Sequence, residues 1–307
     1  MAIITDNRSF PFDKMRRAVL LSPLLPTLSL LAPASWANAS LEVMRQGPES
    51  LGDQRGDYYW QLLEVALKRT IPRWGNYRIV GAPMMNGLRA VEQLEFNKLN
   101  IIARTTTQQL EVSLRPIRIP LDKGLLGYRV FLIRREMQER LDGVRTLDDL
   151  KQFSIGQTDY WTDVTILRNS GFKVVAGDHY EGLFSMLSAG RFDLFSRSVA
   201  EVADELQTRQ QQFPDLVIEQ RLLLYYPMPR YFFVRRDAAG EQLALRIEDG
   251  FNMMIKDGSF DSLFNAHKAS FEKILNLKER RLFHIPNPLL PDHTPLNNFK
   301  LWYAPGK

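Results

Sequence analysis

A run of short polar side chains follows a predicted strand early in the chain. The strand is predicted over residues 100–103, and Thr105, Thr106, Thr107 and Gln108 come just after it. In open α/β sheets, ligands bind at the carboxyl ends of the strands, where hydroxyl and amide groups can hydrogen bond to them. The same threonines would also suit the continuation of an edge strand, because threonine has a high β-propensity. We expect Thr105, Thr106 and Gln108 to contact a small polar ligand.

A second polar segment stands at a predicted turn from a strand to a helix. Thr158 and Asp159 lie at the turn, and Trp161 opens the helix. Free backbone N–H groups at the start of a helix attract anions, so this turn would hold an anionic group beside the Trp161 ring. Ordinary helix capping, with Trp161 in the core, is the alternative. We predict ligand contacts at Thr158, Asp159 and Trp161.

Charged side chains follow two further predicted strands. Arg45 and Glu49 come after the first strand of the chain, and Arg197 and Ser198 come after a strand in its second half. Because ligands of open α/β sheets bind at strand ends, all four are candidates for the predicted ligand site. Surface ion pairs are the alternative for the charged members.

The residue types used for thiol, metal and nucleophilic chemistry form no pattern. The chain has no cysteine, which excludes disulfides, thiolate nucleophiles and thiolate ligands. Ser270 and Lys273 have a Ser-x-x-Lys spacing, but no supporting motif accompanies them. The histidines are far apart and lack metal-ligand spacing: His179, His267, His284 and His293. We therefore predict no catalytic residue, no metal and no cofactor.

Composition and charge are those of an ordinary soluble globular protein. Hydrophobic residues make up 45% and charged residues 24% of the 307 residues, which allows one large core or two smaller ones. The net charge of +5 is small, and Lys and Arg are scattered among Asp and Glu. Because the sequence shows no basic stripe, we predict no nucleic-acid partner.

The N-terminal segment differs from the rest of the chain. Basic residues at 14–17 precede an apolar run over 18–31, and Ala37 and Ala39 follow. This order is typical of a secretory signal peptide. Prolines interrupt the segment, which disfavours a membrane-spanning helix. We predict a signal peptide over 1–39, cleavage after Ala39 and a periplasmic mature protein.

Alternating short strands and amphipathic helices predict an α/β protein with largely parallel sheets. Asp57, Thr146 and Asp178 stand at predicted helix starts, where short polar side chains cap free N–H groups. Prolines recur from residue 286 onward, so no regular structure is predicted from Leu282 onward.

Four short stretches, taken in order, resemble the polar amino-acid-binding family of periplasmic solute receptors, solute-binding family 3. They are YWQLL at 59–63, TTTQQLE at 105–111, GLFSML to GRFD at 182–193 and DGSFD at 257–261. Each stretch is weak alone, and their shared order carries the resemblance. The likeness spans about residues 41–270.

The resemblance implies a type II periplasmic binding fold: two α/β lobes joined by two hinge strands, with the ligand cleft between them. It places the first part of lobe 1 at 40–122 and lobe 2 at 123–225. The chain would return to lobe 1 at 226–280, and residues 281–307 would form a proline-rich C-terminal tail.

Two departures from the family bear on the ligand. Where the family has an arginine that grips the ligand carboxylate, this sequence has Gln108 or Gln109. Where the family has an aspartate for the ligand amino group, residues 196–198 read Ser-Arg-Ser. Both charge partners of an amino acid are therefore missing from the matching positions. A ligand of another class, with an anion held by Arg104 or Arg197, is an open alternative.

The resemblance implies a monomer that captures a small polar solute for an ABC permease and catalyses nothing. A periplasmic sensory protein that docks on a membrane sensor is one alternative, since the two roles differ only in the partner. A dehydratase-like enzyme on the same fold is another. It would need a reactive cleft carboxylate such as Asp159, Asp163 or Glu49.

Overall fold

The structure of the protein is a computed structural model that describes residues 40–304. The predicted signal peptide, residues 1–39, lies outside the described residues. Within 40–304, the structure contains no helix with both the length and the apolar character that crossing a membrane requires. The described chain folds into two α/β lobes, which the strand connections define.

The first lobe contains five strands: β1 (Leu41–Arg45), β2 (Tyr77–Gly81), β3 (Ile102–Thr105), β4 (Leu114–Ile117) and β11 (Arg230–Arg235). β1 and β2 are parallel, and a bridge between Arg45 and Ile101 links β1 to the others. β11 runs antiparallel between β3 and β4. A strand from the last third of the chain therefore completes this sheet, and it brings Arg230 beside the end of β3.

Helices cover both faces of the first-lobe sheet: α1 (Asp57–Arg69), α2 (Ile71–Trp74), α3 (Gly87–Glu95), α4 (Gln108–Ser113) and α10 (Ala238–Lys256). Phe232 and Phe233 alternate along β11, and both are fully buried. Phe232 packs in the core made by α1 and α10, and Phe233 packs in the core made by α3. α1 and α10 approach so closely that a β-carbon at Gly250 would lie 2.3 Å from the Ala66 carbonyl oxygen.

A mixed sheet forms the second lobe. Its strands are β5 (Tyr128–Arg134), β6 (Ser154–Thr158), β7 (Lys173–Gly177), β8 (Leu194–Ser198), β9 (Leu216–Ile218), β10 (Leu222–Tyr225) and β12 (Arg281–His284). Its helices are α5 (Gln138–Asp142), α6 (Leu147–Leu150), α7 (Thr162–Asn169), α8 (Tyr180–Ser188) and α9 (Val202–Arg209). The strand order is β12-β10-β5-β8-β6-β7, with β9 beside β5. β6, β7 and β8 are parallel, so their carboxyl ends share one edge of the sheet.

The chain passes from the first lobe to the second through residues 118–127 and returns through 226–229. The two crossing segments touch, since the Tyr226 amide donates a 3.3 Å hydrogen bond to the Gly127 carbonyl. A β-carbon at Gly127 would lie 2.2 Å from the Tyr226 carbonyl oxygen. Glycine is therefore required where the two backbones meet.

Helix starts follow the predicted capping chemistry in one case and depart from it in two. The predicted cap at Asp57 is wrong, because Asp57 is the first residue of α1, Gly56 holds the capping position and no side chain caps this helix. Thr146 accepts a hydrogen bond from the Asp149 amide, and the Asp149 carboxylate accepts one from the Thr146 amide, which confirms the predicted cap. The predicted cap at Asp178 is wrong. α8 begins one residue later than that cap requires, His179 holds the capping position, and the Asp178 carboxylate contacts the His179 ring instead.

The C-terminal segment contains one strand that the prolines did not exclude. β12 pairs in parallel with the edge of β10, so the prediction of no regular structure from Leu282 onward is wrong for residues 282–284. It is also wrong for Phe299–Leu301, which form a short 3-10 helix. Pro286 is the first proline of the segment, and the residues before it keep their amide donors. Beyond β12 the tail returns to the first lobe, where the Gln108 amide donates a 3.0 Å hydrogen bond to the Leu289 carbonyl.

The tail also contacts both crossing segments. Asn287 donates a 2.9 Å hydrogen bond to the Pro227 carbonyl, and the Tyr303 amide donates a 2.8 Å bond to the Lys123 carbonyl. The tail therefore lies across the connection between the lobes.

α11 (Ser259–Leu275) contacts both lobes. It packs on α1 and α10, while Phe264 and Phe271 belong to the core of the second lobe. His267 on the same helix stacks on Tyr58 with the ring centroids 4.0 Å apart. Burial lowers the pKa of His267 to about 4.

His267→Phe is expected to make the protein less sensitive to mild acid. The unfolded chain protonates this residue near its ordinary pKa of 6.5, whereas the folded chain does so near 4. Its contribution to stability is therefore lost as the pH falls from 6.5 towards 4. Urea unfolding at about pH 7 and about pH 4.5 should show a smaller drop in the free energy of unfolding for the variant than for the wild type. His284→Phe, at an exposed position, is the control, and equal drops in the variant and the wild type would contradict the expectation.

Candidate ligand-binding cleft

A polar cleft lies between the two lobes, where strand ends and helix starts of both lobes meet. Its cavity volume is about 210 Å³. Pockets for drug-sized ligands have roughly 300–1,000 Å³, so the volume suits a small metabolite. Both lobes supply charged residues to the lining. The arginines are Arg45, Arg55, Arg104, Arg129, Arg197 and Arg230, and the carboxylates are Glu49, Asp53, Asp57, Asp163 and Glu201.

The lobes contact each other directly at the cleft. The Tyr160 hydroxyl of the second lobe donates a hydrogen bond to the Glu49 carboxylate of the first. The Thr105 and Thr162 hydroxyl oxygens are 3.4 Å apart. These contacts join the loop after β1 and the end of β3 to the turn before α7, so the two lobes close on each other at these points.

Arg55 fixes the loop that carries Glu49. Its Nε lies 2.7 Å from Asp53, and its Nη2 lies 2.8 Å from Glu49. Burial raises the pKa of Asp53, but the Arg55 hydrogen bonds and charge outweigh burial and lower that pKa to about 2. Both carboxylates of this loop therefore share Arg55 as their ion-pair partner.

Arg129 and Asp163 form a buried pair at the second-lobe side of the cleft, 2.9 Å apart, with both side chains less than 5% exposed. Tyr226 donates a 2.5 Å hydrogen bond to Asp163. Arg129 also donates to the carbonyls of Leu126 and Ser196. Burial lowers the pKa of Arg129, but the Asp163 charge outweighs burial and raises it. Asp163 is thus a structural carboxylate with its partners in place.

Arg197 at the end of β8 is neutralised by two carboxylates. Its Nη2 lies 2.9 Å from Glu201 and 2.5 Å from Glu205. Its Cζ lies 4.7 Å from the ring centre of Trp161 and 5.4 Å from that of Tyr180. Burial lowers the pKa of Arg197, but Glu205 and Glu201 outweigh burial and raise it. Arg197 therefore supports the cleft wall, and its charge is not available to a ligand anion.

Arg45 lies at the end of β1 with its guanidinium over the Trp60 ring, 4.9 Å from the ring centre. It donates a 3.0 Å hydrogen bond to the Gln46 carbonyl. Burial lowers the pKa of Arg45, and the charge of the exposed Asp57 opposes that effect. The negative charge of Asp57 thus partly compensates the positive charge of Arg45 at the rim of the cleft.

Arg104 of β3 and Arg230 of β11 line the cleft without an ion-pair partner among residues 40–304. Nε of Arg230 is buried without a hydrogen bond, and its guanidinium lies 4.7 Å from the ring centre of Tyr59. Burial, together with the Arg230 charge, lowers the pKa of Arg104 to about 10. The charge of Glu49 opposes that effect, and the charge of Arg230 acts on the buried Asp122. Guanidinium groups without a bonded acceptor are costly in a desolvated site. Two such groups therefore lie at this end of the cleft.

The structure brings half of the predicted ligand contacts to the cleft: Arg45, Glu49, Thr105, Trp161 and Arg197. The other half lies outside the lining: Thr106, Gln108, Thr158, Asp159 and Ser198. Whether the lining members bind a ligand stays a prediction.

Local geometry explains why neighbours in sequence separate here. Thr105 faces the cleft, whereas Thr106 is buried and donates a 2.6 Å hydrogen bond to Glu111. Gln108 opens α4 on the surface and bonds to the Leu290 carbonyl of the tail at 3.1 Å. Neighbouring polar side chains at the end of this strand therefore point to different surroundings, and only some of them reach the cleft.

The second lobe shows the same separation. Thr158 and Ser198 end β6 and β8 and are fully buried, while Asp159 is exposed. Trp161 stands at the N-cap of α7 and reaches the cleft.

Sequence reasoning missed several residues of the lining. Arg129 lies inside a buried strand, and Arg55 and Glu201 lie in loops, so no strand-end pattern marks them. Arg230 opens β11, far along the chain from β3, and only the pairing of these strands brings it to the cleft. Arg104, which the sequence named as an anion-binding alternative, does line the cleft.

Within residues 40–304 no group of three or more His, Asp or Glu side chains could hold a metal ion. The cleft lining also contains no histidine within that part of the chain. Arginines, carboxylates and hydroxyl groups therefore supply its chemistry.

No protein-family model matches the sequence, and no curated protein matches it. Solved structures do match. An ancestral arginine-binding protein bound to arginine is 18% identical, with a TM-score of 0.54 over 75% of this chain and 98% of that chain. A periplasmic binding protein of Salmonella typhimurium with high arginine specificity is 16% identical, with a TM-score of 0.54 over 74% of this chain and 99% of that chain.

A histidine kinase sensor domain with similarity to periplasmic binding proteins also matches. It is 13% identical, with a TM-score of 0.51 over 77% of this chain and 97% of that chain. At such identities the likeness shows the fold. The chain therefore has the two-lobed, α/β type II periplasmic-binding-protein fold that the sequence predicted.

Proposed function

We propose that the protein is an extracytoplasmic solute-binding protein that captures a small polar ligand between its lobes and delivers it to an ABC importer. The observation that carries the proposal is the interlobe cleft, which is small, polar and lined by both lobes. Ligand held there contacts both lobes at once, so binding favours the closed arrangement. An ancestral arginine-binding protein with bound arginine and a periplasmic binding protein with high arginine specificity share the fold.

The charge pairing in the cleft supports binding without catalysis. A general base needs a carboxylate or imidazole that is free to take a proton. Glu49 and Asp163, the cleft carboxylates that an enzyme on this fold would use, are held by Arg55 and Arg129. Asp159 is exposed and outside the lining. We therefore propose no enzymatic activity.

A sensory role is the second candidate, and the likeness to a histidine kinase sensor domain favours it. Such a protein would bind its solute in the same cleft and dock on a membrane sensor. Crosslinking of the ligand-loaded protein in intact cells distinguishes the two roles. A permease in the crosslinked complex supports import, and a kinase supports sensing.

Export and monomeric state belong to the same proposal. We expect the signal peptide to be removed after Ala39, leaving a soluble periplasmic monomer. N-terminal sequencing of the protein from a periplasmic extract, with light scattering for the mass, tests both points. An uncleaved chain in the cytoplasmic fraction would contradict export.

Small-angle X-ray scattering with a thermal-shift screen tests ligand-driven closure. A solute that raises the melting temperature stabilises the arrangement with both lobes in contact. It should therefore reduce the radius of gyration of a protein that is open without ligand, and keep that radius unchanged for a protein that is already closed. Failure of a broad metabolite screen to raise the melting temperature would contradict the proposal.

Tyr160→Phe is expected to weaken the binding of such a solute about fivefold. The substitution removes the interlobe hydrogen bond to Glu49, worth about 1 kcal/mol, and so favours the open arrangement. Isothermal titration calorimetry measures the change. Tyr77→Phe is the matched control, because the Tyr77 hydroxyl also bonds to a carboxylate, that of Glu64, but on the surface of one lobe. Equal affinity of Tyr160→Phe and the wild type would show that this bond does not control closure.

A further inference from the structure

We propose that the cleft selects a small oxyanion, a carboxylate or a phosphate, that carries no ammonium group, and that Arg104 and Arg230 hold it. This inference rests on the proposed function and names the chemistry of the ligand. It departs from the amino-acid ligands of the proteins that share the fold.

Arg104 and Arg230 reach the same end of the cleft from opposite faces of the first-lobe sheet. They belong to neighbouring cross-strand pairs of the β3–β11 ladder, and neighbouring positions of a strand point to opposite faces. The Arg104 guanidinium lies against Gly87 on the α3 side. The Arg230 guanidinium lies over Tyr59 of α1. Because both line the cleft, an oxyanion between them would receive two planar sets of N–H donors.

The start of α3 adds to the positive charge at this point. α3 begins at Gly87. The Asn86 side chain accepts a hydrogen bond from the Arg89 amide, and the Gly87 and Leu88 amides have no partner within the helix. The helix dipole also places partial positive charge at this end. A β-carbon at Gly87 would come within 1.8 Å of Nη1 of Arg104, so guanidinium and helix start are in direct contact. Two positive groups in contact favour the binding of an anion beside them.

The guanidinium donors of Arg104 and Arg230 have no acceptor within the described chain. Neither side chain has a hydrogen bond or an ion pair among residues 40–304, and Nε of Arg230 is inaccessible to solvent as well. Most buried polar groups of folded proteins are hydrogen bonded. A ligand oxyanion would supply the missing acceptor.

The carboxylates of the cleft explain why the ligand would lack an ammonium group. A desolvated ammonium needs a free carboxylate beside it. Four of the lining carboxylates are already paired with arginine: Glu49, Asp53, Asp163 and Glu201. The fifth, Asp57, is exposed and its charge acts on Arg45. Every buried carboxylate of the described lining therefore already has an arginine partner, and an ammonium group would have to compete with it.

Isothermal titration calorimetry and thermal shift on the mature protein test the inference with defined probes. Succinate and inorganic phosphate represent the two oxyanion sources, and L-glutamate, L-arginine and glucose represent zwitterionic, cationic and neutral solutes. Sodium chloride at equal ionic strength controls for screening. We expect succinate or phosphate to raise the melting temperature, and to do so more than the three other solutes.

Arg104→Met and Arg230→Met are each expected to weaken binding of that oxyanion at least about thirtyfold. Arg89→Met is the matched control, since it removes the same charge from an exposed site on α3, and it should leave the affinity within about twofold. Without ligand, Arg104→Met should melt at the same temperature as the wild type or higher, because it relieves an unneutralised buried charge. That result separates loss of binding from loss of fold.

Three outcomes would overturn the inference while leaving the proposed function intact. The first is tighter binding of L-arginine, L-glutamate or glucose than of either oxyanion. The second is oxyanion binding that Arg104→Met and Arg230→Met do not change. The third is the absence of a melting-temperature rise with both oxyanions. If a broad metabolite screen finds no ligand at all, the proposed function fails with it.

Discussion

Replacing Arg197 with methionine is expected to lower the free energy of unfolding by about 3–5 kcal/mol. Arg197 is 2% exposed and lies between Glu201 and Glu205. Burial raises the pKa of Glu205, but the charge and hydrogen bonds of Arg197 outweigh it and lower that pKa. Methionine fills similar space but leaves the buried Glu205 carboxylate without its cation, and that is the costly state.

The loss should depend on pH in a definite direction. In the wild type, the lowered pKa of Glu205 contributes stability that is present at neutral pH and lost as the pH falls through that pKa. In Arg197→Met the carboxylate is buried without its ion-pair partner, so protonation relieves the cost. The stability difference between the two proteins should therefore shrink as the pH falls from 7 towards 4.

Urea unfolding measures both effects. Arg168→Met on α7 removes an exposed arginine and is the control, expected within about 0.5 kcal/mol of the wild type. Arg197→Met combined with Glu205→Gln should recover part of the loss, since it removes the stranded charge. A loss below about 1 kcal/mol in Arg197→Met would show that the pair does not hold the cleft wall.

Gly87→Ala is expected to weaken oxyanion binding at least about tenfold with no loss of stability. The added methyl group would lie 1.8 Å from Nη1 of Arg104, so the guanidinium must move. The end of a flexible side chain moves at little cost, and alanine favours a helix more than glycine does by up to about 1 kcal/mol. The arginine therefore remains present and charged, but out of place.

Titration of the oxyanion that binds the wild type measures this effect, and thermal unfolding measures stability. Gly143→Ala, an exposed glycine of the second lobe with ordinary contact distances, is the matched control. In the Arg104→Met background, Gly87→Ala should cause no further loss of affinity, because both changes act on the same guanidinium. Additive losses in the double variant would mean that Gly87 acts through another contact.

The sequence predicted the fold class well and the site in part. Alternating strands and helices, with four ordered motifs, led to the two-lobed α/β fold that the structural comparisons confirm. Arg45, Glu49 and Thr105, which the strand-end rule named, line the cleft. The rule names a region, however, and side chains within it alternate, which is why Thr106 turns to Glu111 instead.

The pairing of charges in the cleft could not be predicted from the sequence, for a different reason. Arg197 has Glu201 and Glu205 four and eight residues later, a spacing that indicates a local ion pair, whereas Arg230 meets Arg104 only through the pairing of β11 with β3. Which arginine is neutralised and which is not depends on the whole cleft. Sequence patterns could therefore suggest an anion but could not choose between Arg104 and Arg197.

Native mass spectrometry of the mature protein, purified from periplasmic extract without added ligand, tests the central claim most directly. The account predicts a complex heavier than the bare chain by the mass of one small anion. That mass should be lost from a variant with both Arg104→Met and Arg230→Met and retained in Arg89→Met. A bare chain that no metabolite stabilises would contradict the claim that this protein is a solute receptor.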